Sequence, residues 1–350
     1  MKIAVGLSGG VDSTLTALLL KEQGHEVIGL SMLIYNKDLP APQHMMKDAC
    51  YGPAEKQDIK DIHAWCEQHD IPHYSFDLSE EFKKTVLAYF KKTYLSGQTP
   101  NPCVHCNTEM KFGLLGQMAK KSGLAFDAFA TGHYARIASK DGTFYLRRGA
   151  DPKKDQSYFL YRLTPEQLSH TQFPLGNFTK AEVREMARAR GLVQAEKNDS
   201  QDFYAGDYTD LLNRAPEEGK IILTNGQVLG KHMGFWNYTI GQRKGLGIAY
   251  PKPLYVVALD AEQNAVIVGT EESLLSDTCN LTECIWHQGF PKGEVLVKYR
   301  STGQLVPATL KETPEGATIQ FKNPQRALTP GQSAVIYAGD LVLGGGIIQK

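Results

Sequence analysis

A hydrophobic run, a loop of six small residues and an amphipathic segment follow one another between Lys2 and Gly24, and that order permits few folds. Lys2-Ile3-Ala4-Val5-Gly6-Leu7 reads as a short buried strand, and Ser8-Gly9-Gly10-Val11-Asp12-Ser13 as a tight loop. The spacing predicts a helix over 14–23, with Leu15, Leu18 and Leu19 on one stripe and Gly24 as its stop. Residues 26–33 read as a second buried strand. Strand, helix and strand within about thirty residues make a βαβ unit, which implies a parallel sheet with a right-handed crossover.

Two adjacent glycines let a backbone turn its N–H groups toward an anion. The start of a helix adds roughly half a positive charge at the same place. Ser8, Asp12 and Ser13 bring hydroxyl and carboxylate groups there. No lysine follows the glycines, so this is not the Gly-Lys-Ser/Thr phosphate loop. The Gly-x-Gly-x-x-Gly register of dinucleotide folds is missing too. Ser-Gly-Gly-Val-Asp-Ser resembles the pyrophosphate loop (PP-loop) of the ATP pyrophosphatases, which adenylate a carbonyl oxygen and release pyrophosphate. A Gly-rich turn with no ligand is the plain alternative.

At 350 residues the chain is long enough for two or three domains. Its 42% hydrophobic and 22% charged residues are ordinary for a globular protein. No apolar run is long enough to span a membrane, and a strand that begins at residue 2 leaves no room for a leader, so a cytoplasmic protein without a membrane partner is expected. Lys+Arg and Asp+Glu are both 38, which argues against a general nucleic-acid binder but leaves room for a local basic surface. Six cysteines in such a chain are read as core, catalytic or metal-binding.

Strand and helix patterns alternate through the first 206 residues. Residues 34–52 look irregular. Helices are expected over 54–69, 79–94, 108–122, 164–170 and 180–190, and strands over 72–77 and 126–131. Cys66 falls at helical spacing with Ile59 and Ile62, as a core residue would. Ser79 is the expected N-cap of its helix, ahead of Glu80 and Glu81. Residues 134–148 read as a hairpin with Asp141-Gly142 at the turn. From 207 on, short strands and turn dipeptides such as Asn225-Gly226 and Thr302-Gly303 signal β structure. The expected organisation is an α/β parallel-sheet domain over 1–206, a small β-rich domain over 207–276 and a β-barrel over 277–350. Residues 295–300 and 334–337 are barrel strands in this reading, and Cys279 and Cys284 are packing residues.

Cys103-Val104-His105-Cys106 lies in a Pro/Asn-rich stretch that reads as a loop, with two thiols within mutual reach. Three readings compete: a redox or sulfur-transfer pair, half of a metal or iron–sulfur site, or an inert pair. No second Cys-x-x-Cys occurs, which disfavours a four-cysteine zinc site. Thr131-Gly132-His133 ends a strand, where ligands of open α/β sheets bind and where a glycine permits close approach. Arg243-Lys244, set between Gly241 and Gly245, suits phosphate contact or is a solvated turn.

Taken in order, Gly6 to Ser13, Asn101-Pro102 with Cys106-Asn107, Lys111-Phe112, Thr131-Gly132-His133, Lys154 to Leu160, Asp199-Ser200-Gln201-Asp202, Gly241 to Ile248, Thr329 to Ser333 and Gly344-Gly345-Gly346 resemble the bacterial tRNA-specific 2-thiouridylase family across essentially the whole chain. The resemblance implies a PP-loop fold and ATP-dependent 2-thiolation of the wobble uridine (U34) in the tRNA anticodon loop. ATP with Mg2+ is the implied cofactor, and a sulfur-donor protein or sulfide source the implied partner. Gly6, Leu7, Ser8, Gly9, Gly10, Val11, Asp12 and Ser13 would hold ATP, with Met32 and Gly132 on the adenosine side. Cys106 would be the sulfur-handling nucleophile, with Cys103 beside it. Asn101, Pro102, Cys103, His133, Lys154, Asp155, Gln156, Lys298, Tyr299 and Gln332 would contact tRNA. Another adenylating PP-loop enzyme, RNA-modifying or amide-forming, shares the loop but has no need of the two thiols.

The chain departs from the family pattern twice. Cys103 stands where many relatives carry aspartate. Tyr204 stands at or beside the slot of a second catalytic cysteine, and no cysteine occurs between 107 and 278. Two repairs are open. Cys103 and Cys106 act as the pair, one carrying a persulfide and the other resolving it. Alternatively Cys50, Cys103 and Cys106 hold a [4Fe–4S] cluster whose fourth iron binds sulfide.

Overall fold

The computed structural model describes residues 1–35, 49–196, 202–204 and 206–349. They divide into one unit of Met1–Val86, Pro102–Asp207 and Asp340–Val342, and a second of Leu87–Asn101, Tyr208–Gly339 and Leu343–Lys350. Up to residue 204 the strands are β1 (Lys2–Gly6), β2 (Glu26–Leu33), β3 (Ala49–Tyr51), β4 (His73–Asp77), β5 (Ala128–Ala130), β6 (Ala135–Lys140), β7 (Thr143–Arg148), β8 (Thr171–Gln172) and β9 (Asp202–Tyr204). The helices are α1 (Val11–Glu22), α2 (Glu55–Gln68), α3 (Ser79–Phe82), α4 (Ala88–Leu95), α5 (Pro102–His105), α6 (Gly116–Lys121), α7 (Pro165–Ser169) and α8 (Lys180–Ala189).

Ile3, Ala4 and Val5 are all at 0% exposure, as a strand covered on both faces must be. β1 pairs in parallel with β2 on one side and β5 on the other. The sheet runs β4-β2-β1-β5-β8, every neighbour parallel. Chain order reverses at β1, so the carboxyl end of β1 is the topological switch point, where open α/β sheets bind ligands. Residues 7–13 emerge there. Leu15, Ile62, Trp65, Cys66 and Val183 build the core beside this strand. Burial pushes the Cys66 thiol up to about 12, in keeping with its expected core role.

Several local expectations need correction. α1 begins at Val11, not residue 14, because extended Gly10 is its N-cap, so Asp12 and Ser13 lie in the first turn. It ends as expected: Gly24 has φ 83°, and the His25 and Gly24 N–H groups return to the Leu20 and Lys21 carbonyls. Ser79 is not the cap of its helix. Leu78 holds that position, and the Asp77 carboxylate takes the Ser79 N–H (3.1 Å) and hydroxyl (2.7 Å), a stronger acceptor two residues upstream. The Cys-x-x-Cys is helical rather than a loop. Pro102 starts α5 with its φ already set, and a π-helical run, Cys106–Leu115, follows. Cys50, expected in an irregular loop, lies in β3, which pairs with β9. Tyr204, expected at or beside the slot of a second cysteine, is 1% exposed, its ring 6.1 Å from that of Tyr51. Residues 199–201 of the Ser-Gln-Asp segment lie outside the described residues. The hairpin turn is as expected, with Asp141 (φ 52°) and Gly142 (φ 76°) both left-handed.

In the second unit α9 (Tyr208–Leu212) precedes β10 (Gly219–Leu223), β11 (Val228–His232), β12 (Tyr255–Asp260) and β13 (Ala265–Gly269), a sheet of order β11-β10-β13-β12. β14 (Leu275–Trp286), β15 (Glu294–Lys298), β16 (Val306–Thr313), β17 (Gly316–Arg326), β18 (Ser333–Ala338) and β19 (Leu341–Gln349) follow. Their order is β14-β17-β16-β15-β18-β19, and pairing of β19 with β14 closes the barrel. Closure removes the exposed edges of an antiparallel sheet. Cys279, Leu281, Val297, Ile319 and Ile336 fill it, and Cys284 packs against that core, as expected of packing cysteines. Among the described residues no helix is long and apolar enough to cross a membrane.

Two glycines give opposite predictions. A Cβ on Gly176 would lie 1.9 Å from the Ala135 carbonyl oxygen, whereas one on helical Gly116 meets nothing closer than Phe126 at 3.9 Å. Gly176→Ala is expected to destabilise by about 1–3 kcal/mol. Gly116→Ala should stabilise by roughly 0.5–1 kcal/mol. Thermal unfolding midpoints moving in opposite directions would bear this out.

Candidate active site

The loop after β1 is closed on itself and open at its helix end. The Ser8 N–H donates to Ser13 Oγ (3.2 Å), and the Ser13 hydroxyl donates to the Gly10 carbonyl (3.1 Å). Gly9 has φ 74°, which glycine adopts without strain. Gly10 gives α1 no side-chain cap, so the first-turn N–H groups have no such partner. This donor set, with two serine hydroxyls and an acidic side chain, fits a phosphate chain and its Mg2+: N–H and O–H for the phosphates, the Asp12 carboxylate for the metal.

Asp12 is held from two distant segments. The Tyr134 hydroxyl donates to Oδ1 (2.8 Å), and the Lys180 ammonium donates to Oδ1 and Oδ2 (both 2.8 Å). Lys180 is the first residue of α8. Thr179 caps that helix in a capping box with Glu182, and the Lys180 N–H donates to Asp151 Oδ2 (3.1 Å). A Cβ on Gly132 would fall 2.7 Å from the Asp12 carbonyl carbon. The close approach expected of this glycine is thus made to the backbone of Asp12. Met32 lies half-buried on β2.

The three cysteines belong to one electrostatic cluster. Burial pushes the Cys103 thiol up to about 12, with Cys50, Cys106 and Asp202 adding to the push and Lys111 opposing it. Burial likewise raises Cys106, and Lys111 pulls it back. Lys111 itself is lowered by burial but raised more by Cys106, Cys50 and Cys103, ending above its ordinary value. It stands five residues after Cys106 in the π-helical run, where i and i+5 are joined by the backbone ladder. Sequence reasoning did not single out Lys111 as a site residue; a half-buried cation beside thiols becomes visible once the helix is known to be π. Cys50 is exposed, and Cys103 and Cys106 are half-buried. Among the described residues no three His, Cys, Asp or Glu side chains are gathered closely enough to hold a metal. As placed, Cys50, Cys103 and Cys106 do not form such a group.

His133 links the two halves of the site. It follows Gly132, its Nδ1 lies 2.8 Å from Thr131 Oγ1, and its ring sits 5.8 Å from Phe112. Burial, helped by Lys111, holds it well below the ordinary histidine value, so it is neutral.

The other residues expected to meet tRNA are distributed over both units. In the first, the Asp155 carboxylate is engaged inside the fold by Arg148 Nε and the N–H groups of Gly149 and Ser157, all at 3.1 Å. Gln156 Oε1 accepts the Tyr134 N–H (2.9 Å), and Lys154 is half-buried. In the second, the buried Asn101 donates its N–H to the Tyr89 hydroxyl (3.1 Å). Gln332 Nε2 donates to the carbonyls of Thr99 (3.2 Å) and Pro100 (2.9 Å), bracing the chain ahead of Pro102. Lys298 is buried in β15, and the Tyr299 hydroxyl donates to Gln325 (3.1 Å). Arg243 and Lys252 are exposed along an open groove of about 650 Å3.

Fold and loop together define a nucleotide-binding α/β domain carrying two β-rich domains. Family models match in that order: a tRNA methyl transferase HUP domain over residues 1–204, a tRNA methyl transferase PRC-barrel domain over 210–270 and an aminomethyltransferase beta-barrel domain over 276–348. The chain is 48% identical to a tRNA-specific 2-thiouridylase MnmA from Endomicrobium trichonymphae, over 99% of both chains. It is 45% identical to the MnmA of Geobacter metallireducens (99% and 96% covered) and 44% to that of Moorella thermoacetica (99% of each). The chain belongs to the MnmA tRNA-specific 2-thiouridylase family.

Three half-buried histidines give the fold a pH dependence. Burial, then His63, brings His73 down to about 4; burial and Arg162 bring His105 to about 4; His133 lies well below 6.5. The unfolded chain takes up these protons near pH 6.5, the folded chain only lower. The stability they carry is full above that pH and is lost as pH falls toward 4. Denaturant titrations from pH 7 to 4 should show this loss, with a shallower slope in His73→Gln.

Proposed function

We propose that the protein thiolates the wobble uridine of tRNA, using ATP to activate the C2 oxygen and a cysteine-borne sulfur to replace it. The observation that carries this reading is the position of the 131–134 segment. Gly132 lies against Asp12 of the loop, and His133 interacts with Lys111, which interacts with Cys106 and Cys103. One short segment thus connects a phosphate-binding loop to a pair of thiols.

The uridine C2 oxygen is a poor leaving group. In the proposed first step it attacks the α-phosphorus of ATP; the new O–P bond forms, the bond to the β-phosphate bridge breaks, and pyrophosphate leaves with the electron pair. The helix start and the serine hydroxyls hold the phosphates. Asp12 is the proposed carboxylate for Mg2+. The target base is splayed from a single-stranded anticodon loop, which costs a few kcal/mol at most. In the second step the outer sulfur of a Cys106 persulfide, loaded by a sulfur-donor protein, attacks C2 and AMP leaves. Cys103 then attacks the inner sulfur, which breaks the S–S bond, frees the 2-thiouridine and leaves a Cys103–Cys106 disulfide that a dithiol reductant resets. Lys111 favours thiolate at both cysteines. No step here is routed through an iron–sulfur cluster.

The tRNA contacts remain assigned to Asn101, Pro102, Cys103, His133, Lys154, Gln156, Lys298, Tyr299 and Gln332, with Asp155 acting by shaping the segment around Lys154. The boundaries 206/207 and 276/277 and a cytoplasmic location complete the proposal.

Cys106→Ser is expected to keep tRNA-dependent pyrophosphate release while forming no 2-thiouridine, as read by nucleoside mass spectrometry. Undiminished 2-thiouridine in that variant would exclude the thiol route. Anaerobically purified wild type should thiolate tRNA without stoichiometric iron; activity that tracks iron content would sink the persulfide version.

A further inference from the structure

We propose that Cys50 is the entry thiol of the site, taking the outer sulfur of a protein persulfide and handing it to Cys106. The inference deepens the thiolation reading and rests on it. Cys50 is exposed, whereas Cys103 and Cys106 are half-buried, so a bulky donor protein meets Cys50 first. The backbone that carries Cys50 is pinned from the next residue. Tyr51, 1% exposed, stacks on Phe82 (ring centres 5.3 Å apart, 13° between planes), and its ring lies 5.2 Å from that of Tyr35. Side chains alternate along a strand, so the turn of Tyr51 into the core sends Cys50 the other way. β3 runs parallel to β9, with Ala49 opposite Asp202 and Tyr51 opposite Tyr204. Cys50 thus lies beside the segment 202–204, and Asp202 and Cys50 both act on the Cys103 thiol. Cys106 and Lys111 feel Cys50 as well.

Two thiol exchanges make up the relay. The Cys50 thiolate attacks the outer sulfur of the donor persulfide; a new S–S bond forms, the donor's S–S bond breaks, and the donor cysteine leaves as thiolate. The Cys106 thiolate, favoured by Lys111, then attacks the outer sulfur of the Cys50 persulfide. The S–S bond at Cys50 breaks, Cys50 departs as thiolate, and Cys106 carries the sulfur that replaces the uridine oxygen. Each exchange moves one sulfur atom with no net oxidation, so neither an oxidant nor a reductant is consumed. A persulfide also sets its transferable atom about 2 Å beyond the cysteine sulfur. The relay therefore spans separations too wide for three thiols to share a metal. A surface thiol without this role would leave the loading of Cys106 indifferent to its replacement.

Two sulfur donors separate these roles in the full-length protein: a cysteine desulfurase carrying a 35S persulfide, and inorganic polysulfide, which is small enough to reach a half-buried thiol unaided. With the desulfurase, Cys50→Ser should form 2-thiouridine at least tenfold more slowly than wild type. With polysulfide the loss should be less than threefold. Wild-type rates in Cys50→Ser with the desulfurase would overturn the assignment, as would equal losses with both donors. Wild type that forms no 2-thiouridine with either donor would overturn the thiolation reading itself, and the relay with it. A second measurement keeps Cys50 unmutated and avoids any folding defect. Cys106→Ser, loaded by the desulfurase, alkylated and mapped under non-reducing conditions, should accumulate the 35S label on the Cys50 peptide. Label confined to the Cys103 peptide, or no label on the protein, would reject the proposal.

Discussion

The carboxylate of Asp12 is where the catalytic unit is tied together. Tyr134 and Lys180 converge on it, and the missing side chain of Gly132 lets the segment after β5 press against its backbone. Two segments far from it in sequence thereby fix the first turn of α1 at the switch point of a parallel sheet. The arrangement needs the sheet order: β5 must neighbour β1 for residues 131–134 to reach the loop.

The sulfur side depends on a second constraint, the π-helical run after Pro102. The wider helix sets Lys111 one turn from Cys106 and within the field of Cys103 and Cys50. Burial raises the Cys103 and Cys106 thiols, and the Lys111 ammonium opposes it. Tyr204 packs its ring near that of Tyr51, and the proposed sulfur chemistry rests on the cysteines on this helix. The cluster alternative needs three ligands around one centre, which the described residues do not provide.

Much of this was legible in the sequence. The buried run of β1, the glycine pair and the alternation of strand and helix point to the parallel sheet and its loop, and Asp141-Gly142 and Gly24 mark a hairpin and a helix end by backbone needs that few other residues meet. The misread pieces share a cause, in that local pattern does not report tertiary partners. Val11 to Ser13 looks like loop because of the glycines before it, yet extended Gly10 lets the helix start early. The Pro/Asn-rich stretch around Cys103 looks like loop until Pro102 is recognised as a helix start. Lys180 is hidden inside a helix-capping sequence, and Lys111 inside a helix whose period is not the usual one.

In the proposed reaction ATP activates the C2 oxygen of a tRNA uridine, and this oxygen departs with AMP. Anticodon stem-loop RNA carrying 18O at uridine C2, turned over with ATP and a persulfide donor, tests that most directly by mass spectrometry of the nucleotide product. One 18O in the phosphate of each AMP, matched to each 2-thiouridine formed, is the expected result. Unlabelled AMP accompanying full thiolation would contradict it.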